Sequence, residues 1–424
     1  MNVEERYDIA IIGAGLAGLS LCRHLLVKNC RKRILLIDNR PDLPGNKQKV
    51  GESLVQVAGY YFTRVLDLEE HLLQEHYPKY NLRFSWKTTG RSNRDLEDYG
   101  HSYIGKTTSN VATYHLNRNR IEAHLMELLR ESPNVSLRAP VNALQAEVSD
   151  RGPHVLRFGL NGVPVETRAD WLIDTSGRTQ FLKRRADLRQ ESPIRHGSSW
   201  CWVEGLVNVE RLTELSLDEI RVRRDAQKQG LFPIWLATNH FCGEGFWFWV
   251  IPLKGLTSLG VVYDSNVFPA EAVSTPEKLI EWACREFPLF ERDLPKRKIL
   301  DSARLASYSY DSQRTISASK WAMSGMSGRF SDPLYSPGSD LIAYYNTLIV
   351  DAVLEEDAEK LKEKVELYEA LMKVVYEAYV PSYSISYDTL GDQEVFAFKY
   401  GWELAIYFSF YAFPFIPPVR RLRP

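Results

Sequence analysis

Residues 7–18 read Tyr7-Asp-Ile-Ala-Ile-Ile12-Gly13-Ala-Gly15-Leu-Ala-Gly18, and a helical stretch from Leu19 to Val27 follows at once. An apolar run that breaks at glycine and resumes with helical spacing is a strand, a tight turn and a helix. The three glycines have separate jobs. Gly13 makes the turn, Gly15 lets backbone approach a pyrophosphate, and Gly18 lets the helix pack close to the strand. The helix N-terminus then offers unpaired N–H groups and the positive end of its dipole to phosphates. A second strand, Arg33-Ile-Leu-Leu-Ile37, ends in Asp38, placed to accept from a ribose hydroxyl. The fold class expected is therefore α/β, with a Rossmann-type dinucleotide-binding domain at its start.

Residues 245–252 read Gly-Phe-Trp247-Phe-Trp249-Val-Ile251-Pro252. Side chains alternate along a strand, so Trp247 and Trp249 share one face while Phe246, Phe248 and Val250 share the other. Such a strand is buried on both faces, and Pro252 is expected to end it by removing a ladder donor. Taken alone, the pattern fits a core strand.

Composition bounds the function. The 424 residues are 44% hydrophobic and 25% charged, enough for a large core split into two or three domains. A net charge of −1 with no long basic block gives no footprint for nucleic acid. Cys22, Cys30, Cys201, Cys242 and Cys284 have no metal spacing and are odd in number, which suits reduced thiols in a cytoplasm. No metal site is expected. The N-terminal Met-Asn-Val-Glu-Glu-Arg carries acid where an export signal carries base. Leu404–Ile416 is too short and too proline-interrupted to span a bilayer, and it is expected to dock over the substrate pocket, without membrane contact, in preference to serving with Arg420, Arg421 and Arg423 as an interfacial anchor.

Two more segments narrow the class. Residues 171–178 read Trp-Leu-Ile-Asp174-Thr-Ser-Gly177-Arg178, and 321–338 read Trp-Ala-Met-Ser-Gly325-Met326-Ser-Gly328-Arg329-Phe330-Ser-Asp332-Pro333-Leu-Tyr335-Ser336-Pro337-Gly338. Over about residues 5–355 the chain resembles the flavin-dependent halogenases, within the larger class of FAD enzymes shaped like aromatic hydroxylases and geranylgeranyl reductases. The glycine triplet with Asp174 and Gly177 matches the wider class. Trp247-x-Trp249-x-Ile251-Pro252 and Phe330-x-Asp332-Pro333-x-x-Ser336-x-Gly338 match the halogenase branch.

The resemblance implies FAD as cofactor, bound by Gly13, Gly15, Gly18, Asp38, Arg118, Asp174, Gly177, Gly325, Asp332, Ser336 and Gly338. It implies a substrate pocket bordered by Trp247, Trp249 and Tyr335, with the two tryptophans walling the flavin from the substrate. It also implies a catalytic lysine that holds hypohalous acid, matched by Lys79, and a second catalytic residue, Glu52 of Gly51-Glu52-Ser53. Each carries an ordinary alternative: a solvated lysine for Lys79, a cap of an expected long helix over 54–75 for Glu52, and a helix-start residue for Arg118. His115, His240 and Glu244 lie near these segments as pocket residues or as structural hydrogen-bonding groups.

Three positions depart from the family. Met326 stands where the wider class has an aspartate that accepts from the ribityl chain, and methionine is a very weak acceptor. Pro337 lacks one of two backbone N–H groups that cradle chloride in the tryptophan halogenases. Tyr335 stands where those enzymes have a glutamate. Three readings follow. The first is an FAD-dependent halogenase acting on an electron-rich aromatic, small-molecule or carrier-bound substrate, using halide ion and a separate flavin reductase. The second is an FAD-dependent monooxygenase or related oxidoreductase without halide chemistry. The third is an inactive flavoprotein-like binding protein.

The expected layout is interleaved. Residues 1–80, 110–185 and 315–355 form the FAD-binding domain, 80–110 and 190–315 a mostly β substrate domain, and 356–424 a helical C-terminal region. In the last, Leu361, Val365, Leu367, Tyr368, Leu371 and Val375 recur at helical spacing over 356–379.

Overall fold

The computed structural model describes residues 5–47, 49–102, 111–226 and 233–416. Glu5–Ile12, Leu16–Val27 and Ile34–Ile37 form strand, helix and strand around the Gly13 turn. They lie in an eight-stranded sheet whose main path runs Ile316–Ser317, Trp321–Met323, Val163–Asp174, Glu5–Ile12, Ile34–Ile37, Val135–Arg138. The pairings among the last five are parallel. Ile9 and Ile11 face a core shared with helices Leu16–Val27, Arg118–Arg130 and Gly338–Leu354. Ala10 and Ile12 face a second core with Phe158, Leu172 and Met323. Burial on both sides is why these strands read as unbroken apolar runs.

A seven-stranded sheet follows the order Ile299–Leu305, His196–Glu204, Leu256–Asp264, Phe246–Leu253, Thr238–Gly243, Leu82–Trp86, Gly100–Ser102. Phe246, Phe248 and Val250 pack on helix Pro276–Glu286 through Trp282 and Ala283. Trp247, Trp249 and Ile251 occupy the other face, with Phe84, Trp200 and Trp202. Helices Ala358–Thr389 and Gln393–Ile406 close over that face with Tyr383, Tyr387, Leu390, Phe396 and Tyr400. At about 25 cal/mol per Å² of apolar surface, each such ring contributes several kcal/mol before the entropy of ordering it.

Several local expectations change. Pro252 does not end its strand, which pairs on through Leu253. It lies beyond Val250, where the neighbouring ladder has stopped, so the sheet tolerates the missing donor. The expected helix over 54–75 is two helices, Gln56–Tyr60 and Glu69–Glu75, joined by a π-helical turn at Tyr61–Val65 and a left-handed Asp67. That break resets the helical phase, so that Tyr61, Phe62, Leu66, Leu68 and Leu72 are all buried. The C-terminal helix extends ten residues past Tyr379, and its buried face is Leu361, Val365, Met372, Tyr376, Tyr383 and Tyr387, whereas Leu367 and Leu371 are exposed. Leu404–Ile416 divides its aromatics: Phe408 and Tyr411 are buried, Phe410 and Phe413 exposed. Arg420, Arg421 and Arg423 lie outside the described residues. Among the described residues no helix is long and apolar enough to cross a membrane, and no group of His, Cys, Asp or Glu could hold a metal ion.

Candidate active site

The glycine turn has the shape its sequence demands. Gly13 has φ of 106°, and a Cβ there would stand 2.5 Å from the Thr175 carbonyl oxygen. A Cβ on Gly18 would meet the Gly13 carbonyl oxygen at 2.0 Å, whereas one on Gly15 would meet nothing within 4 Å. The turn is therefore packed inside and open outside. The following helix carries no side-chain cap, leaving its first N–H groups for a phosphate.

Asp38 closes this turn. Its oxygens accept from the backbone N–H of Ala14 at 2.7 Å and from Arg40, whose Nη2 lies at 2.8 Å. Burial alone would raise its pKa, but the Arg40 and backbone donors hold it below the usual carboxylate range. A ribose hydroxyl would share Asp38 with these donors. Asp174 is fully buried and accepts from Ser176 N and Leu182 N, each at 2.8 Å. It fixes the loop that carries Gly177. Gly325 has φ of 65°, and a Cβ there would stand 3.1 Å from the Ala17 Cβ. This puts Gly325–Met326 beside the first turn of the helix. These residues fit a bound dinucleotide, with Met326 supplying no strong acceptor. Met326→Asp is expected to tighten FAD about tenfold, one hydrogen bond's worth, in a flavin-fluorescence titration. Unchanged affinity would place residue 326 away from the ribityl chain.

The second group of residues gathers around Gly51-Glu52-Ser53. Arg118 opens helix Arg118–Arg130, pairs with Glu122 at 2.7 Å and donates from Nη1 to the Val50 carbonyl at 2.7 Å. Glu52 is buried and accepts from Trp202 Nε1 at 2.6 Å. Burial raises its pKa to about 7, against bonds from Ser258 and Trp202 and the charge of Arg118. A carboxyl whose folded pKa is raised favours folding most below its unfolded value and loses that contribution as pH rises. For Glu52 the window is about 4.5 to 7. Glu52→Gln should therefore gain thermal stability relative to the parent as pH rises through that window; a constant difference in Tm between pH 5 and pH 8 would contradict the assignment.

Lys79 follows strand Tyr77–Pro78 and is 7% exposed. Its Nζ donates to Ser53 Oγ at 3.0 Å. Burial lowers its pKa to about 7, with Asp340 opposing the shift. Asp340 is itself buried, its pKa raised by burial to about 7, and accepts from Ala58 N and Tyr407 Oη, each at 2.8 Å. Lys79 is thus a desolvated amine poised near neutrality, the environment in which lysines take part in chemistry.

The tryptophan strand joins both groups. Trp249 Nε1 donates to Ser258 Oγ at 3.1 Å, and Ser258 bonds Glu52. Trp247 Nε1 donates to Tyr387 Oη at 2.8 Å. Tyr387 bonds Asp332 at 3.2 Å, and Asp332 also receives His196 at 2.6 Å, Tyr308 at 3.0 Å and Leu334 N at 2.8 Å. The two indoles thus brace two motif carboxylates as well as forming an apolar wall. Asp332 spends both oxygens within the protein.

Tyr335 and Ser336 both have positive φ, 65° and 64°, an unfavourable backbone for residues with a Cβ. Gly338 then opens helix Gly338–Leu354 under Phe330, which a Cβ would approach to 2.9 Å. Tyr335 lies among Phe84, Tyr383, Phe396 and Tyr400, and its Oη donates to Glu403 at 2.8 Å. The C-terminal helices thus bring a carboxylate to this wall. Sequence reading did not single out Asp340, Thr238, Tyr387, His196 or Glu403. Asp340 could have been found as an acid two residues after Gly338, in the first helical turn; the others are joined only by tertiary contacts. His115 and His240 do join the Lys79 group, and His240 lies 5.1 Å from Trp247 between ring centroids. Glu244 is exposed.

A parallel sheet with a glycine turn, a second strand-rich sheet and helices over its aromatic face define a dinucleotide-binding oxidoreductase architecture. Residues 11–67 match the NAD(P)-binding Rossmann-like domain family. The chain is 26% identical to flavin-dependent halogenase chlA of Dictyostelium discoideum over 96% of its own length and 70% of that protein. It is 26% identical to tetracycline 7-halogenase of Kitasatospora aureofaciens, over 84% of this chain and 65% of that one. Among solved structures, halogenase PltM superposes with a TM-score of 0.73 at 19% identity, covering 96% of this chain and 85% of that chain. A flavoprotein/dehydrogenase from Cytophaga hutchinsonii gives 0.65 at 18% identity, covering 97% of each. The chain is thus similar in sequence to flavin-dependent halogenases over most of its length, and it shares their fold.

Proposed function

We propose that the protein is an FAD-dependent halogenase acting on an electron-rich aromatic substrate, free or carrier-bound, in the cytoplasm. The observation that carries this is the buried Lys79 amine, held at Ser53 and linked through neighbouring residues to the Trp247–Trp249 face. The segments 1–80, 110–185 and 315–355 would form its FAD domain, with the substrate face on 80–110 and 190–315. Gly13, Gly15, Gly18, Asp38, Asp174, Gly177 and Gly325 would hold the cofactor. Reduced FAD with oxygen supplies two electrons' worth of oxidising power to halide. Overall, FADH2, O2, X−, H+ and Ar–H give FAD, Ar–X and two waters.

In this scheme the charged Lys79 amine donates to the oxygen of hypohalous acid and leaves the halogen electron-poor for attack by the ring. The aromatic wall excludes bulk water from that step. A separate flavin reductase would supply reduced flavin. The relatives' names support the class: one acts on a pyrrole-2-carbonyl carrier protein, and PltM has been solved with phloroglucinol and FAD.

The test is a reductase-coupled assay with bromide and a panel of phenols, indoles and pyrroles, read by product mass. Brominated product is expected. Hydroxylated product independent of halide would establish the monooxygenase reading, which Pro337 favours. Protein that takes up no flavin when FAD is added would overturn both.

A further inference from the structure

Lys79 is the end of a chain of hydrogen bonds that the proposed reaction does not by itself require. Its Nζ lies 3.0 Å from Ser53 Oγ, Ser53 Oγ lies 2.9 Å from Thr238 Oγ1, and Thr238 Oγ1 lies 3.1 Å from His115 Nε2. All four side chains are buried. They come from the 51–53 loop, the end of Tyr77–Pro78, Tyr114–His115 and Thr238–Gly243, and the bridge between Ser53 and His115 holds two of these together.

A charged ammonium can only donate, so Ser53 Oγ accepts from it. Ser53 is the better acceptor when its own proton goes to Thr238, and that is the direction proposed. Thr238 in turn gives its proton to His115 Nε2, which requires a neutral imidazole carrying its proton on Nδ1. His115 is held neutral, because burial and the charges of Lys79 and His240 keep its pKa well below the ordinary value; the Nδ1 tautomer is part of the proposal. Its Nδ1 is buried and has no hydrogen-bond partner among the described residues.

We propose that Ser53, Thr238 and His115 are positioning residues for Lys79, a one-way chain of donors that favours the charged form of the amine against its burial and fixes where it points. The titratable groups facing the amine are Asp340 from helix Gly338–Leu354, His115 from Tyr114–His115 and His240 from Thr238–Gly243. Of these only Asp340 stabilises the charge, and its carboxyl is shared with Tyr407 and Ala58. The neutral chain supplies the rest, since each hydroxyl polarised by the next is a better acceptor.

This inference deepens the halogenase reading and rests on it only for what the lysine is used for. The test reads the lysine directly, by titrating the NMR signal of [ε-13C]lysine-labelled protein, assigned with Lys79→Met, with and without FAD. Thr238→Val is expected to lower the Lys79 midpoint by a few tenths of a pH unit, less than the unit or so that corresponds to losing a hydrogen bond to the charged form, because it removes the partner of Ser53 and not a bond to the amine. Thr238→Ser restores it. Ser53→Ala moves the midpoint the same way and serves as the second variant should Thr238→Val fail to fold. A midpoint unchanged in the folded variants, or lowered equally by Thr238→Ser, overturns the chain. Halide-independent hydroxylation by a protein whose midpoint still follows Thr238 overturns the halogenase reading and leaves the chain standing.

Discussion

Replacing Lys79 with methionine is expected to abolish halogenation, lowering kcat in the reductase-coupled assay by at least a hundredfold, the usual reach of a positioned proton donor. The loss should appear without loss of fold. Methionine fills the same buried space, Ser53 keeps Thr238 as a partner, and the backbone N–H of residue 79 still donates to the Thr113 carbonyl. FAD affinity should be unchanged, because the glycine turn and Asp38 are built by other segments. Stability gives a second readout with a defined sign. The folded pKa is lowered from 10.5 to about 7, so the unfolded chain binds the extra proton between those values and the native state does not. The cost of burying this amine is full below pH 7 and declines toward pH 10.5. Lys79→Met should therefore raise Tm most at or below neutrality, with the gain shrinking as pH rises. A variant retaining more than a tenth of parental activity would remove Lys79 from the chemistry.

How far the sequence carries the structure follows from the range of each interaction. The strand–turn–helix at 5–27 is local: Gly18 is forced by the Gly13 carbonyl five positions back, and Gly13 by its positive φ and by the adjoining strand end at Thr175 and Ser176. The two-faced tryptophan strand was equally legible, because alternation alone separates Trp247 and Trp249 from Phe246 and Phe248. The failures have physical reasons as well. Pro252 looked like a stop because a proline's effect depends on whether a neighbour needs its N–H, and the neighbouring strand has ended there. The face of helix Ala358–Thr389 was misassigned because Leu367 and Leu371 are apolar yet exposed, while Tyr383 and Tyr387 beyond the expected end form the actual contact with the aromatic sheet. The 51–53 motif pointed to Glu52, but not to Ser53 Oγ as the partner of Lys79; that bond spans 26 positions, and the next one, to Thr238, spans 185. No periodicity encodes such pairs.

Asp332→Leu is expected to destabilise the protein by about 3 kcal/mol or more, since each buried hydrogen-bonding group stranded by the change costs about 1–3 kcal/mol. The carboxylate is fully buried and gathers His196 from the strand-rich sheet, Tyr308 from the segment after it, and Tyr387 from the C-terminal helix. Through Tyr387 it also reaches Trp247. Leucine has the same branched shape but is bulkier and accepts nothing, so an imidazole, two phenols and the Leu334 N–H are left without this acceptor in a buried site. The consequence should be local as well as global. Because Tyr387 ties helix Ala358–Thr389 to the tryptophan face, that helix should lose amide-exchange protection around Tyr383–Tyr387 before the glycine-turn sheet does. Asp332→Asn retains an acceptor and should cost markedly less. Equal losses for leucine and asparagine would show that charge outweighs hydrogen bonding at this centre. An Asp332→Leu variant with parental Tm and parental exchange would show that Asp332 does not hold the C-terminal helices to the tryptophan face.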